Sequence, residues 1–303
     1  MQDGDSRPVA ASGALLGIVL IVLAMSLLTV NDAVTRYLSD GYPTMAIIFL
    51  RSFPALVAVL VIVHIEGAWR RLATRRPLAQ LLRGGLMILS YWLFLQALIG
   101  GLHFALAVGL VFTSPFFVAA LSPLVLGEKV PLSRWIAAVI GFAGVLVAVR
   151  PGFGAFDWLA LYSLAAGFVY ACTALLARRL GTTEPAAVTG FYTWLMFLSG
   201  SAPFALAQVE VWSLPQGIDL VWFAVIGLIS GTAHYFIVSA YRRAPAAVVA
   251  PFEYIAIAWA AAFGFVFWQE VPDLPTMAGI ALIFAGGLVI LYGDRGGRRG
   301  ART

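Results

Sequence analysis

The sequence predicts an all-α membrane protein with ten transmembrane helices, arranged as two inverted five-helix repeats. Three observations predict it. Of the 303 residues, 62% are hydrophobic and only 11% are charged, against about 25% charged in an ordinary soluble domain. A soluble chain of this size has no interior large enough to hide so much apolar surface, so lipid is the solvent for most of it. The apolar residues fall into ten runs of roughly the length that crosses a bilayer, and the chain matches itself when shifted by 142 residues. A soluble enzyme, a DNA-binding protein and a disordered tail are excluded on these grounds.

The spans follow in order. A tail, residues 1–10, carries Asp3, Asp5 and Arg7 before the first run at 11–34. The unbroken apolar stretch from 9 to 30 is too long for the core of a cleavable signal, so it is expected to remain as a span. Runs at 44–64, 79–99, 103–125, 133–149 and 156–177 come next. Those at 186–207, 218–240, 246–268 and 275–292 follow, and residues 293–303 form a second tail. The punctuation between runs is polar or helix-breaking: Asp40-Gly41-Tyr42-Pro43, Arg75-Arg76-Pro77, Arg150-Pro151-Gly152 and Gln269-Glu270-Val271-Pro272-Asp273. No stretch has the length of a separate soluble domain.

Net charge is +5. In a soluble protein that would raise the question of nucleic acid. Here sixteen of the nineteen Lys and Arg residues fall on the N-terminal side of the membrane, only Arg36 and Arg150 fall opposite, and Arg51 lies within a span. That asymmetry places both termini in the cytoplasm. The single cysteine, Cys172, excludes an intrachain disulfide and argues against a metal cluster.

The 142-residue shift superposes Arg36 on Arg178, Pro43 on Pro185, Phe49 on Phe191, Gly85-Leu86 on Gly227-Leu228 and Glu128 on Glu270. It also superposes Phe142-Ala143-Gly144 on Phe284-Ala285-Gly286. The repeats are expected at 11–150 and 153–292. Five spans is an odd number, so the second repeat enters the membrane from the opposite side. Inverted repeats are the architecture of many secondary transporters, with the substrate site where the halves meet.

Two residue patterns resemble the EamA-type transporters of the drug/metabolite transporter superfamily. One is Ser122-Pro123-Leu124-Val125-Leu126-Gly127-Glu128 followed by Gly141-Phe142-Ala143-Gly144-Val145. The other is Trp268-Gln269-Glu270 followed by Phe284-Ala285-Gly286-Gly287, with Trp-Gln-Glu where Leu-Gly-Glu is usual. The resemblance covers essentially the whole chain and implies export of amino acids or related metabolites across a bacterial inner membrane. It also implies a central cavity surrounded by helices one, three, four, six, eight and nine.

Within that frame the candidate cavity residues are Glu253, His234, Tyr170, Tyr162, Ser90, Tyr91 and Thr113. Glu253 sits in span nine about 12 Å past Pro245 at 1.5 Å per residue, where an ionisable group is costly unless paired or wet. Pro251 frees a backbone group beside it. Asp32 and Arg51 are expected to form an intraprotein ion pair with a structural role; the alternative is a substrate-carboxylate site on Arg51. Glu128 and Glu270 are expected to be structural, each accepting backbone N–H bonds at the start of the next helix. No metal, cofactor or nucleic-acid partner is expected, and there is no Walker, HExxH or Gly-x-Ser-x-Gly motif. With Arg51 as the one basic residue inside a span, organophosphate substrates are disfavoured.

The expectation is an alternating-access exporter of amino acids or similar small zwitterions, with proton coupling left open. The alternatives are a broad exporter of cationic drugs, which Glu253 and the aromatics would also serve, and a membrane enzyme using His234 and Glu253 as acid and base.

Overall fold

The computed structural model describes residues 7–74, 76–127, 132–150, 157–180, 186–243 and 246–300. Among these residues all regular structure is helical. The helices are α1 (Arg7–Leu38), α2 (Thr44–Ile65), α3 (Pro77–Ile99), α4 (Phe104–Val111), α5 (Ser114–Leu126), α6 (Leu132–Val149) and α7 (Leu159–Leu180). They continue with α8 (Ala186–Ala207), α9 (Ile218–Arg243), α10 (Ala246–Val249), α11 (Ile255–Trp268) and α12 (Leu274–Gly300). Single 3₁₀ turns cover Trp69–Arg71 and Ala250–Tyr254.

Among the described residues six stretches are long and apolar enough to cross a membrane: Leu15–Leu38, Thr44–Ile65, Pro77–Ile99, Phe104–Val125, Leu159–Ala177 and Ile218–Ile237. Three shorter apolar helices, Trp135–Val149, Phe252–Trp268 and Leu274–Val289, accompany them. Large apolar side chains such as Leu15, Val57, Val139 and Phe267 lie exposed on the outside of the bundle. In water such a surface would aggregate; around a bundle of this kind it is the lipid-facing coat of a multi-pass membrane protein. Hydroxyls inside it bond back to their own helix, as Thr29 does to Met25, Ser52 to Ile48 and Thr232 to Leu228. This satisfies polar groups that have no water nearby.

The 142-residue shift carries α2 onto α8 and the span 104–126 onto 246–268, end for end. Packing obeys the same shift with the halves exchanged. Helix α1 packs on α9 as α3 packs on α7, α2 on α9 as α3 on α8, and α5 on α7 as α11 on α1. Helices α2 and α8 pack on each other, as do α6 and α12. The last pair meets through glycine. A Cβ on Gly144 would lie 2.7 Å from the Gly279 carbonyl oxygen, and one on Gly286 would lie 2.8 Å from that of Ala137. Only the missing side chains allow the two backbones to come this close.

Two spans are broken at corresponding places. The first breaks at Phe112–Thr113, between α4 and α5; the second passes through the 3₁₀ turn ending at Tyr254. Phe112 and Tyr254 are 142 residues apart, and their rings contact each other at 5.0 Å between centroids. The two breaks therefore meet where the repeats exchange.

One end of the bundle, here the top, carries the α1–α2 turn and the turn before α12. Its contacts tie the halves together. Arg36 pairs with Glu270 at 2.7 Å and Arg150 with Asp273 at 2.6 Å, and the Tyr42 hydroxyl donates to Asp219 at 3.0 Å. Both basic residues that depart from the charge asymmetry are thus neutralised by acids of the other half. The role expected of Glu270 is corrected in one respect. Its Oε2 accepts the N–H of Phe104 at 2.7 Å, so it caps α4 of the first repeat rather than the helix that follows it. The sharp return of Glu270 N–H to the Gly264 carbonyl turns the carboxylate back toward α4. Glu128 lies outside the described residues.

Candidate functional site

A cavity of about 270 Å³ lies between the halves, around the two helix breaks. Among the residues expected from sequence, Glu253, His234, Tyr170, Tyr91, Ser90, Asp32 and Arg51 line it. Two do not. Thr113 is fully buried; its hydroxyl donates to the Leu110 carbonyl at 2.6 Å and faces Gly167 of α7. Tyr162 sits one turn into α7 at the top of the bundle and is 40% exposed. Eight residues separate it from Tyr170, and at about 100° per residue they point roughly 80° apart, so the two do not share a face.

The polar groups divide by height. Arg51 is seven residues below the top of α2, about 10 Å at 1.5 Å per residue. Glu253 is seven residues above the bottom of its span, a similar depth from the other end. Tyr170 and His234 lie between them, near the middle of α7 and α9.

The upper group is a buried network drawn from five helices, α1, α2, α3, α8 and α9. The Arg51 guanidinium lies over the Tyr91 ring at 3.9 Å, with Trp194 at 5.6 Å and Phe197 at 5.8 Å. Its Nη1 donates to the Tyr91 hydroxyl at 2.7 Å, and that hydroxyl donates to Asp32 Oδ1 at 3.4 Å. Asn31 Nδ2 donates to the same oxygen at 3.1 Å, while Asn31 Oδ1 accepts from Ser230 at 2.9 Å. The expected contact between Asp32 and Arg51 therefore runs through Tyr91 rather than directly. Three aromatic faces and a relayed carboxylate make a cation tolerable in a place that is 2% exposed.

The lower group comprises Glu253, Tyr170, His234 and Ser90. Glu253 and Tyr170 both line the cavity, and Tyr254 follows Glu253 in the chain. His234 Nδ1 lies 3.3 Å from the Ser230 carbonyl oxygen, a contact that favours a proton on that nitrogen. The Ser90 hydroxyl is committed as a donor to the Ala166 carbonyl at 2.9 Å, so it pins α3 to α7 at the cavity wall.

The lining also includes residues that sequence reasoning passed over: Asn31, Thr193, Trp194 and Phe197. The last three come from α8. With Arg51 on α2, they show that the second and seventh spans join the six expected to surround the cavity. The repeat held a signal for this, because Thr193 is the 142-residue counterpart of Arg51. Arg83, six residues past the start of α3, is a second basic residue set well within the bundle and half-buried. It donates through Nη1 to Thr193 at 2.6 Å, which places a cation at the lower edge of the cavity where the sequence suggested a loop charge. The objection to anionic groups in the substrate is weaker for it. Among the described residues no cluster of His, Cys, Asp and Glu could hold a metal ion.

Comparison with known proteins bears on what this cavity serves. The chain matches the EamA-like transporter family over residues 15–150 and again over 157–292. It is 26% identical to an S-adenosylmethionine uptake transporter of Rickettsia felis over 93% of this chain and 94% of that protein. It is 29% identical to a riboflavin transporter of Rhizobium johnstonii over 97% and 96%. A solved crystal structure shares the fold with a TM-score of 0.64 at 19% identity, covering 94% of this chain and 98% of that one. Two tandem matches, one on each side of the break between the repeats, span most of the sequence, and the chain belongs to the EamA-like transporter family.

Proposed function

We propose that this protein is a ten-span secondary carrier with two inverted repeats, 11–150 and 153–292, and both termini in the cytoplasm. It moves a small metabolite by alternating access through the cavity between the halves. The observation that carries this reading is the cavity itself. It sits where the repeats exchange, it is walled by Tyr91, Phe94, Phe112, Trp194 and Phe197, and it holds Asp32, Arg51 and Glu253. Flat aromatic walls favour a planar ring or an organic cation, and Glu253 gives a positive centre its counter-charge. S-adenosylmethionine, named for one relative, has both features; riboflavin, named for another, has the ring.

A carrier of this type runs in whichever direction the gradients dictate. Export of amino acids, expected from the sequence, and uptake, as the first relative is named, are two uses of one device. The zwitterion is retained here as substrate chemistry and uptake is the proposed direction. The same aromatic walls would serve a cationic drug, and the relatives' names favour a metabolite. The enzyme reading has no support in the named relatives, which are transporters.

Counterflow in liposomes tests the reading. Protein loaded with unlabelled S-adenosylmethionine or riboflavin should draw in the labelled compound unaltered. Conversion of the label to another compound, or absence of exchange across a panel that includes amino acids, refutes it. Topology is checked separately with single cysteines in intact spheroplasts. Positions near Asp40 and Gln216 should react with an impermeant reagent, and positions near Arg71 and Arg243 should not.

A further inference from the structure

Resting on the carrier reading, we infer that Asp32, Tyr91 and Arg51 form a receptor for an α-amino-acid head group, with the substrate ammonium on Asp32 and its carboxylate on Arg51. Three features of the upper network lead there. The first is the unused edge of Arg51. Nη1 is occupied by Tyr91, but Nε is buried without a partner, and Nη2, on the same edge, has none among the described residues. The Nε–Nη2 edge is the one that offers two parallel N–H bonds to a carboxylate. A buried guanidinium donor left unsatisfied is costly, and a ligand oxygen removes that cost once the side chain turns its sealed Nε edge toward the cavity.

The second feature is the unused oxygen of Asp32. Asn31 and Tyr91 both donate to Oδ1, leaving Oδ2 with no hydrogen bond from the described residues. Asp32 is only partly buried and lines the cavity, so Oδ2 is the open acceptor at the upper end. The third feature is the spacer. Direct contact between Asp32 and Arg51 would spend both charges on each other. The Tyr91 hydroxyl, accepting from one and donating to the other, holds them apart while keeping the pair neutral overall. Asn31, fixed in turn by Ser230, orients the carboxylate.

This arrangement selects by charge balance. A zwitterion brings a cation to the carboxylate and an anion to the guanidinium, so the buried network stays neutral. A ligand lacking either charge leaves one protein group uncompensated at low dielectric, where the penalty is large. The specificity is therefore for the head group. The aromatic walls and Glu253 below it deal with what the head group carries, whether an indole or a sulfonium-linked ring.

The test uses purified full-length protein in lipid nanodiscs, with binding read by calorimetry and by protection against thermal unfolding. The probes are S-adenosylmethionine and its decarboxylated form, L-tryptophan, tryptamine, indole-3-propionate and riboflavin. Removing the carboxylate or the amine from a zwitterion that binds should weaken binding by about 30-fold or more, as for truncating one side of a buried charge pair. Arg51→Lys keeps the charge and loses the fork, so it should shrink the difference between S-adenosylmethionine and its decarboxylated form. Asp32→Asn should shrink the difference between L-tryptophan and indole-3-propionate. A purely structural role would lower affinity for all probes alike and leave those ratios unchanged, which overturns the inference. Equal binding of zwitterions and their stripped relatives to the unaltered protein also overturns it, and this arm stands even if the variants do not fold. Binding of riboflavin without any zwitterion overturns the head-group receptor and leaves the carrier reading intact. Absence of counterflow with every probe removes the carrier reading, and the receptor with it.

Discussion

Replacing Glu270 should expose how firmly the halves are latched at the top of the bundle. The carboxylate makes two charge-assisted contacts, to Arg36 Nη2 at 2.7 Å and to the Phe104 N–H at 2.7 Å. The Arg36 and Glu270 side chains are 11% and 12% exposed, so solvent screens them little. Hydrogen bonds to charged groups contribute about 1.5–3 kcal/mol each. Glu270→Gln keeps an acceptor for Phe104 and gives up the charge, which should cost about 2 kcal/mol. Glu270→Ala gives up both contacts and should cost about 4 kcal/mol. The sign of a double substitution is the sharper test. Arg36 is packed at 4.3 Å over the Trp268 ring, and its Nη1 is buried without a partner. In Glu270→Gln alone, that cation is left without its counter-charge. Adding Arg36→Met removes the stranded charge and keeps the apolar contact with Trp268, so the double variant should be more stable than Glu270→Gln. Thermal unfolding of the parent, Glu270→Gln, Glu270→Ala, Arg36→Met and the double variant in one detergent, followed by tryptophan fluorescence, ranks the five. A double variant as unstable as the sum of its parts would show that the pair is not coupled and that Glu270 matters only as the cap of α4.

Other outcomes follow from the same geometry. Gly144→Ala should destabilise the protein by about 1–3 kcal/mol, because its methyl would meet the backbone of α12; unchanged thermal stability with lost transport would place this glycine on the pathway instead. Glu253→Gln should leave the fold intact and weaken exchange of S-adenosylmethionine more than that of riboflavin in counterflow, and equal loss for both would deny the carboxylate a role in meeting positive charge. Asp273 lies in the turn before α12, where hydrogen bonds from Thr276 and, behind them, the Arg150 guanidinium hold its carboxyl below the usual range. A depressed carboxyl stabilises the fold above its unfolded-state pKa, and that contribution fades as pH falls through the folded value. Asp273→Asn should therefore melt lower than the parent near neutral pH, with the difference narrowing in acid; a gap that widens in acid would reverse this assignment.

The all-helical, two-repeat character of the chain was legible because it follows from two coarse signals, apolar run length and the 142-residue shift. Expected runs at 186–207 and 246–268 coincide with the helical segments found there. The cavity was legible where a polar residue stood out against lipid, as with Glu253, His234 and Arg51. It was not legible where membership depends on helix rotation. Tyr162 and Tyr170 look equivalent at steps of four, and accumulated twist separates them. Thr113 reads as a cavity hydroxyl until the break at Phe112–Thr113 turns it onto Gly167. Trp194 and Phe197 read as ordinary lipid-span aromatics, and only the packing of α8 on α2 and α3 brings them to Arg51. The reach of Glu270 to α4 depends on contact across 166 residues, which no local pattern encodes.

The exchange of halves holds for backbone and packing and fails for the ionisable groups of the cavity. Arg51 has Thr193 as its counterpart, Glu253 has Val111 and Asp32 has Ala174. A repeated scaffold therefore encloses a chamber whose charged side chains are not repeated and set a single direction. In the proposed carrier, cargo from either face would meet the same fixed compass of charge and settle in one pose.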